Sequence, residues 1–191
     1  MSLILLGILN SQAAAAGGAG AYDLLETQVL TSSAASVTFT GLGSYSDYKH
    51  LQIRAVARGD AGINATFNTT LRFNSDTGSN YAYHYLGVES LSSPFSSNGS
   101  STTSILLNDW LPLGSTTANV FGAILVDILD FSNTNKYKTI RRFSGVAGIT
   151  QPDLMFGSGL WQSNVAISSF VLQPSAGNFV TGSRFSLMGV R

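Results

Sequence analysis

From about Leu24 to the C-terminus, apolar residues recur at every second position in short runs, and this period confines the chain to β structure. Lys49–Arg58 (KHLQIRAVAR) sends Leu51, Ile53, Ala55 and Ala57 to one face and His50, Gln52, Arg54 and Arg58 to the other. Phe67–Asn74 (FNTTLRFN) turns Phe67, Leu71 and Phe73 inward, against Asn68, Thr70, Arg72 and Asn74. Val120–Asp130 (VFGAILVDILD) is apolar on both parities, as a central sandwich strand is; its Val/Ile content and flanking Thr/Asn turns favour strand over helix. Further strands are expected at Leu24–Leu30, Val37–Thr40, Tyr81–Val88, Ile105–Asn108, Lys138–Phe143, Leu154–Phe156, Ile167–Gln173 and Arg184–Val190. Gly41-Leu-Gly43, Asp60-Ala-Gly62, Asp76-Thr-Gly78, Asn98-Gly99, Asn133-Thr-Asn135 and Ser175-Ala-Gly-Asn178 punctuate them with turn chemistry. The expected fold is all-β, a single antiparallel β-sandwich of the jelly-roll kind. Ser92–Thr103 (SSPFSSNGSSTT) has little to bury and reads as an exposed tip loop.

The N-terminus breaks the pattern. Leu3, Ile4, Leu5, Leu6, Ile8 and Leu9 form a nearly continuous apolar run, followed by Ala13–Ala16 and a Gly/Ala stretch. No Lys or Arg precedes Lys49, so the basic region of a secretory signal is missing. The run is also far short of the ~20 residues a spanning helix needs. Residues 1–21 are therefore expected to be an apolar assembly arm with a Gly/Ala connector, and residues 22–191 the sandwich. Burying each arm side chain is worth roughly 1.5–3 kcal/mol. The expected cover is a partner chain or another copy of the protein, with packing on its own domain as the alternative.

Composition narrows the chemistry. The 191 residues contain no cysteine, which removes disulfides, thiolate nucleophiles and thiolate metal sites. Ten basic and ten acidic side chains, 10% of the chain, balance to a net charge of zero. That charge offers no electrostatic basis for binding nucleic acid or an anionic membrane, and it favours self-association. His50 and His84 stand apart, each on a strand face, with no metal spacing. Asp127 and Asp130 lie three apart on a strand and so face opposite ways; pairing of Asp127 with an arginine and a strand-ending role for Asp130 are expected. No G-x-S-x-G, P-loop or dinucleotide fingerprint follows a strand. No catalytic residue, cofactor or metal is expected. Tyr81, Tyr83 and Tyr85 share one strand face, with Arg72 and Asp76 near in sequence. They read either as glycan or protein contacts or as packed rings with hydroxyls at the rim. Trp110 and Trp161 read as core or subunit-interface anchors.

Six blocks carry a resemblance: YDLLETQVL (22–30), YKHLQIRAVAR (48–58), LRFNSDTGSNYAYHYL (71–86), ILDFSNTNKYKTIR (128–141), GLW (159–161) and GSRFSLMGVR (182–191). Together they resemble small virion structural proteins encoded by tailed phages of aquatic bacteria. The most specific are the RFN-x-D-x-x-x-NY block and the GSRFSL ending. The resemblance implies a non-enzymatic component on the virion surface, folded in the host cytoplasm before assembly. The apolar arm, low charge and exposed aromatics lead to the expectation of a homotrimer, with other tail or capsid proteins and a host surface glycan as partners; the balanced charge and short apolar run lead to neither nucleic acid nor membrane insertion. A tail appendage of the fibre or receptor-binding type is the first expectation and a capsid decoration (cement) protein the second. A carbohydrate-binding module or glycan hydrolase is the alternative from another class.

Overall fold

A computed structural model describes residues 20–62, 68–89, 94–107, 111–112, 118–147 and 153–191. The arm residues Leu3, Ile4, Leu5, Leu6, Ile8 and Leu9, together with Trp110 and Phe67, lie outside this set. Twelve strands follow one another: β1 Tyr22–Val29, β2 Val37–Phe39, β3 His50–Ala57, β4 Thr69–Phe73, β5 Tyr81–Glu89, β6 Phe95–Thr102, β7 Ile105–Leu106, β8 Gly122–Leu129, β9 Lys138–Val146, β10 Asp153–Trp161, β11 Phe170–Pro174 and β12 Arg184–Val190. Among the described residues the one helical element is a 3-10 turn at Leu42–Tyr45. The strands form an eight-stranded sheet, in the order β1-β12-β3-β8-β9-β10-β5-β6, and a four-stranded sheet, β2-β11-β4-β7. Every pairing is antiparallel. The two sheets pack as the expected sandwich.

The alternation read in the sequence fills the space between the sheets. Leu51, Ile53, Ala55 and Ala57 of β3 and Ile124, Val126 and Ile128 of β8 point inward from the large sheet. Leu71 and Phe73 of β4 and Phe170 and Leu172 of β11 meet them from the small one. Ring pairs such as Phe39–Phe170 (5.0 Å between centroids) and Phe179–Phe185 (4.9 Å) occupy the widest gaps. Each such buried ring or branched chain stabilises the fold by about 1.5–3 kcal/mol.

Two sequence expectations change. Most of Ser92–Thr103 is not a tip loop: Phe95–Thr102 is strand β6, paired to β5 at the edge of the large sheet. Phe95 apart, its side chains face solvent on both parities, so the ladder comes from the backbone alone and leaves no hydrophobic period to read. The double-sided apolarity of β8 does not mean that both of its faces are covered. Leu125 points to the outer face of the large sheet, over which no described segment lies.

Candidate interaction surface

On β5 the three tyrosines run from core to rim. Tyr81 is fully buried, and the amide of Phe73 donates to its hydroxyl at 3.1 Å. That hydroxyl lies 3.2 Å from the carbonyls of both Phe73 and Asp76, to either of which it can donate. Burial pushes its pKa up to about 12. Trp161, at the far end of β10, stacks on Tyr81 (6.2 Å) and tilts against Phe73 (5.6 Å). Tyr81 and Trp161 are 0% and 2% exposed, which corrects their place among candidate glycan or partner contacts: both are core rings. Tyr83 and Tyr85 are half-buried and stack on each other at 6.2 Å. Burial, then the neighbouring Tyr85, raises the Tyr83 pKa. Tyr85 meets the edge of Phe95, and the Arg142 guanidinium sits 5.4 Å from its ring centre. This pair is the part of the predicted tyrosine face that reaches the surface.

Asp76 organises the junction between β4 and β5. Asn74 and Ser75 both have positive φ, 50° and 56°, and the Asp76 amide donates to the Phe73 carbonyl at 2.9 Å, as in a type I′ turn. The Asp76 carboxylate accepts from Trp161 Nε1 at 2.7 Å, from the Gly78 amide at 2.8 Å and from Asn80 Nδ2 at 3.0 Å. These bonds, the Trp161 bond first, hold its pKa below the ordinary value. A Cβ at position 78 would fall 2.6 Å from Asn80 Nδ2, so glycine is needed there. The Asn74 side chain accepts from the amides of Ser168 and Ser169 and donates to the Ala166 carbonyl, tying the turn to the start of β11. The RFN-x-D-x-x-x-NY block is thus a folding nexus.

The outer face of the large sheet carries the least expected feature. In register across four strands stand Leu125, Phe143, Phe156 and Leu86. Phe143 and Phe156 are in ring contact at 4.9 Å, yet 41% and 47% exposed; Leu86 is 53% exposed. Next to this row run Val56, Ala123, Gly145, Leu154 and Val88. On its other side the row is polar: Gln52, Asp127, Arg141, Ser158 and His84. There Asp127 accepts from Arg141 Nε at 2.6 Å and from Gln52 Nε2 at 2.7 Å, so the expected arginine pairing holds. A shallow depression of about 270 Å³ lies where the two rows meet, beside Leu125, Arg141, Phe143 and Gly157.

The remaining candidates have structural partners. The Asp130 amide donates to His50 Nδ1 at 2.9 Å, while Asp130 itself closes the turn after β8 and pairs with Lys136. His84 is exposed. Lys138 is fully buried, and its ammonium caps the carbonyls of Asn133 and Lys136. Among the described residues no group of three or more His, Asp or Glu is placed to hold a metal ion, and no helix is long and apolar enough to cross a membrane. The sequence reading missed the outer rows because it scored each strand singly; their signal is the coincidence in register of outward apolar residues from neighbouring strands.

No known protein family and no curated protein matches the chain. Among solved structures it is similar to scytalido-glutamic peptidase in complex with a peptide-based transition-state analogue, at 9% identity and a TM-score of 0.23. That match covers 84% of this chain and 66% of the peptidase, just under two thirds of its length. It is also similar to alginate lyase vAL-1 from Chlorella virus, at 10% identity and a TM-score of 0.25 over 97% of each chain. Likenesses this slight define no family.

Proposed function

We propose that this chain is a non-enzymatic structural protein of a phage virion, an oligomeric tail appendage on the particle surface. The observation that carries the assembling half is the pair of apolar rows open on the outer face of the large sheet. Solvent-exposed apolar patches of this kind mark association surfaces. The near-absence of charge fits the same role. The virion half is supported by the resemblance of the six sequence blocks. Two of them build structural joints: the Asp76 nexus, and β12, which is wedged between β1 and β3.

Quantitative mass spectrometry of purified particles tests this reading. A copy number that is a small multiple of three or six is expected. Hundreds of copies would replace the tail appendage with the capsid decoration reading, and absence from particles would overturn the proposal. The half-exposed Tyr83–Tyr85 stack beside Arg142 favours a host glycan as a further partner, since stacked rings with a polar rim suit sugar faces. A glycan array should then lose signal on Tyr85→Ala, and an unchanged array would remove the glycan. Turnover of host polysaccharide, peptidoglycan or ester substrates, abolished by one Asp→Asn or Glu→Gln change, would overturn the non-enzymatic reading.

A further inference from the structure

The two outer rows span four to five strands at ~4.8 Å spacing and lie about 7 Å apart, so the patch measures roughly 20 Å by 14 Å, or about 300 Å². A stable subunit interface takes about 800 Å² from each partner. The patch is too small for sheet-on-sheet dimerisation and suits a short apolar segment. The chain supplies one. Leu3–Leu9 is apolar throughout, spans ~23 Å when extended, and no charge occurs between Ser2 and Tyr22 that docking would desolvate. We infer that the Leu3–Leu9 segment of one copy docks on the outer apolar rows of a neighbouring copy. This deepens the assembly half of the function proposed above and does not rest on the virion half.

The direction of β1 selects a neighbour over the same chain. Tyr22 pairs with Val190, which pairs with His50, at the end of the sheet away from the patch. Val29 pairs with Arg184, which pairs with Val56, a member of the second apolar row. The backbone therefore enters β1 at the end remote from its own patch, so an arm bound for that patch would have to turn back across the sheet. Between Leu9 and Tyr22 lie small or polar residues only, and this connector extends to roughly 43 Å, enough to cross to another copy. At the receiving site the charges beside the first row are engaged, and Arg184, exposed beyond Val56, borders one end of the second. Asp127 is held by Arg141 and Gln52, and Arg54 donates to Gln52 while its guanidinium covers Tyr22 at 4.9 Å. An uncharged segment leaves the Asp127 and Arg54 pairings undisturbed.

The lack of cysteine makes the test direct. Full-length Ile4→Cys is co-expressed with a size-tagged full-length Leu86→Cys and oxidised. A reducible cross-link between untagged and tagged chains is expected, at least tenfold above a control pair of Ile4→Cys with Val165→Cys, an exposed site off this face. Adding Phe143→Ser and Phe156→Ser to the tagged chain should abolish the cross-link while its circular dichroism spectrum stays that of the folded sandwich, because both rings lie on the outer face and not between the sheets. A yield equal to the control would overturn the inference. So would an Ile4→Cys/Leu86→Cys double variant that closes only within one chain. Particles that lack the protein while the cross-link still forms would sink the virion reading and leave this docking intact.

Discussion

Asp76 satisfies Trp161, Gly78 and Asn80 at once, so one carboxylate holds a turn, a strand start and a core indole. Hydrogen bonds to a charged group contribute about 1.5–3 kcal/mol, and Asp76 is partly exposed, so Asp76→Ala should cost an amount near the lower end, read by urea denaturation. Tyr81→Phe leaves the buried Phe73 amide without its acceptor and should cost about 1–3 kcal/mol. Tyr81→Ala should cost about 3–5 kcal/mol, and Tyr85→Ala, at the rim, clearly less. The pH dependence follows from the same groups. Asp76, Asp60 and Asp130 have folded pKa values below the unfolded ~3.9, held down chiefly by Trp161, the Asn178 amide and Lys136 respectively. Their contribution is present above that unfolded value and is lost as pH falls through the folded values. Melting temperature should therefore drop below about pH 4, with a smaller drop in Asp76→Asn. On the alkaline side, Tyr81 should withdraw stability as pH rises from ~10 towards about 12. The sequence showed Tyr81, Asp76 and Trp161 but not their convergence, because position 161 reaches position 76 only through sheet pairing across β10 and β5.

At the scale of elements, strands with one buried face were legible from alternation, as in β3 and β4, and strands without one were not. In β6, FSSNGSST offers the backbone ladder and the Thr102 hydroxyl bonds to the Tyr81 and Ser104 carbonyls, and Phe95 alone, against Tyr85, is an apolar side chain on the inner face, too little to make a period. A strand is expected at Lys138–Phe143 and β9 is there, but its buried face was not legible. Lys138, Arg142 and Ser144 point inward with Ile140, while Phe143 points out, so hydropathy alone reverses part of the strand. The buried Lys138 is tolerated because turn carbonyls receive its ammonium. Edge strand β6 also covers Tyr83: a Cβ at position 99 would sit 2.5 Å from that ring. Gly99→Val should therefore detach β6 locally, seen as faster hydrogen exchange of β5 and β6 amides with the rest of the sandwich unchanged. Exchange identical to wild type would mean that the ring moves aside. Phe143→Ser with Phe156→Ser should leave the sandwich folded at a cost of about 1–3 kcal/mol, since each ring still buries about half its surface and the two are in contact.

As a whole molecule, the chain pairs a well-filled sandwich with an outer face left apolar and a charge-poor surface, which makes an isolated copy in water incomplete. In the proposed assembly, arms passed from each copy to the next would form a heterologous contact, which closes when the rotation between copies divides a circle; three copies would give the expected ring. Deleting residues 2–12 should leave the sandwich folded, with its circular dichroism little changed, because side chains from the strands of both sheets fill the space between them. The same deletion should cost the oligomer its stability and increase binding of a dye that reports exposed apolar surface. Unfolding on deletion would instead make the arm part of its own core. The most direct measurement is the mass of the purified full-length protein at micromolar concentration by multi-angle light scattering. The account predicts a stable trimer that dissociates on Phe143→Ser with Phe156→Ser, and a stable full-length monomer would contradict it.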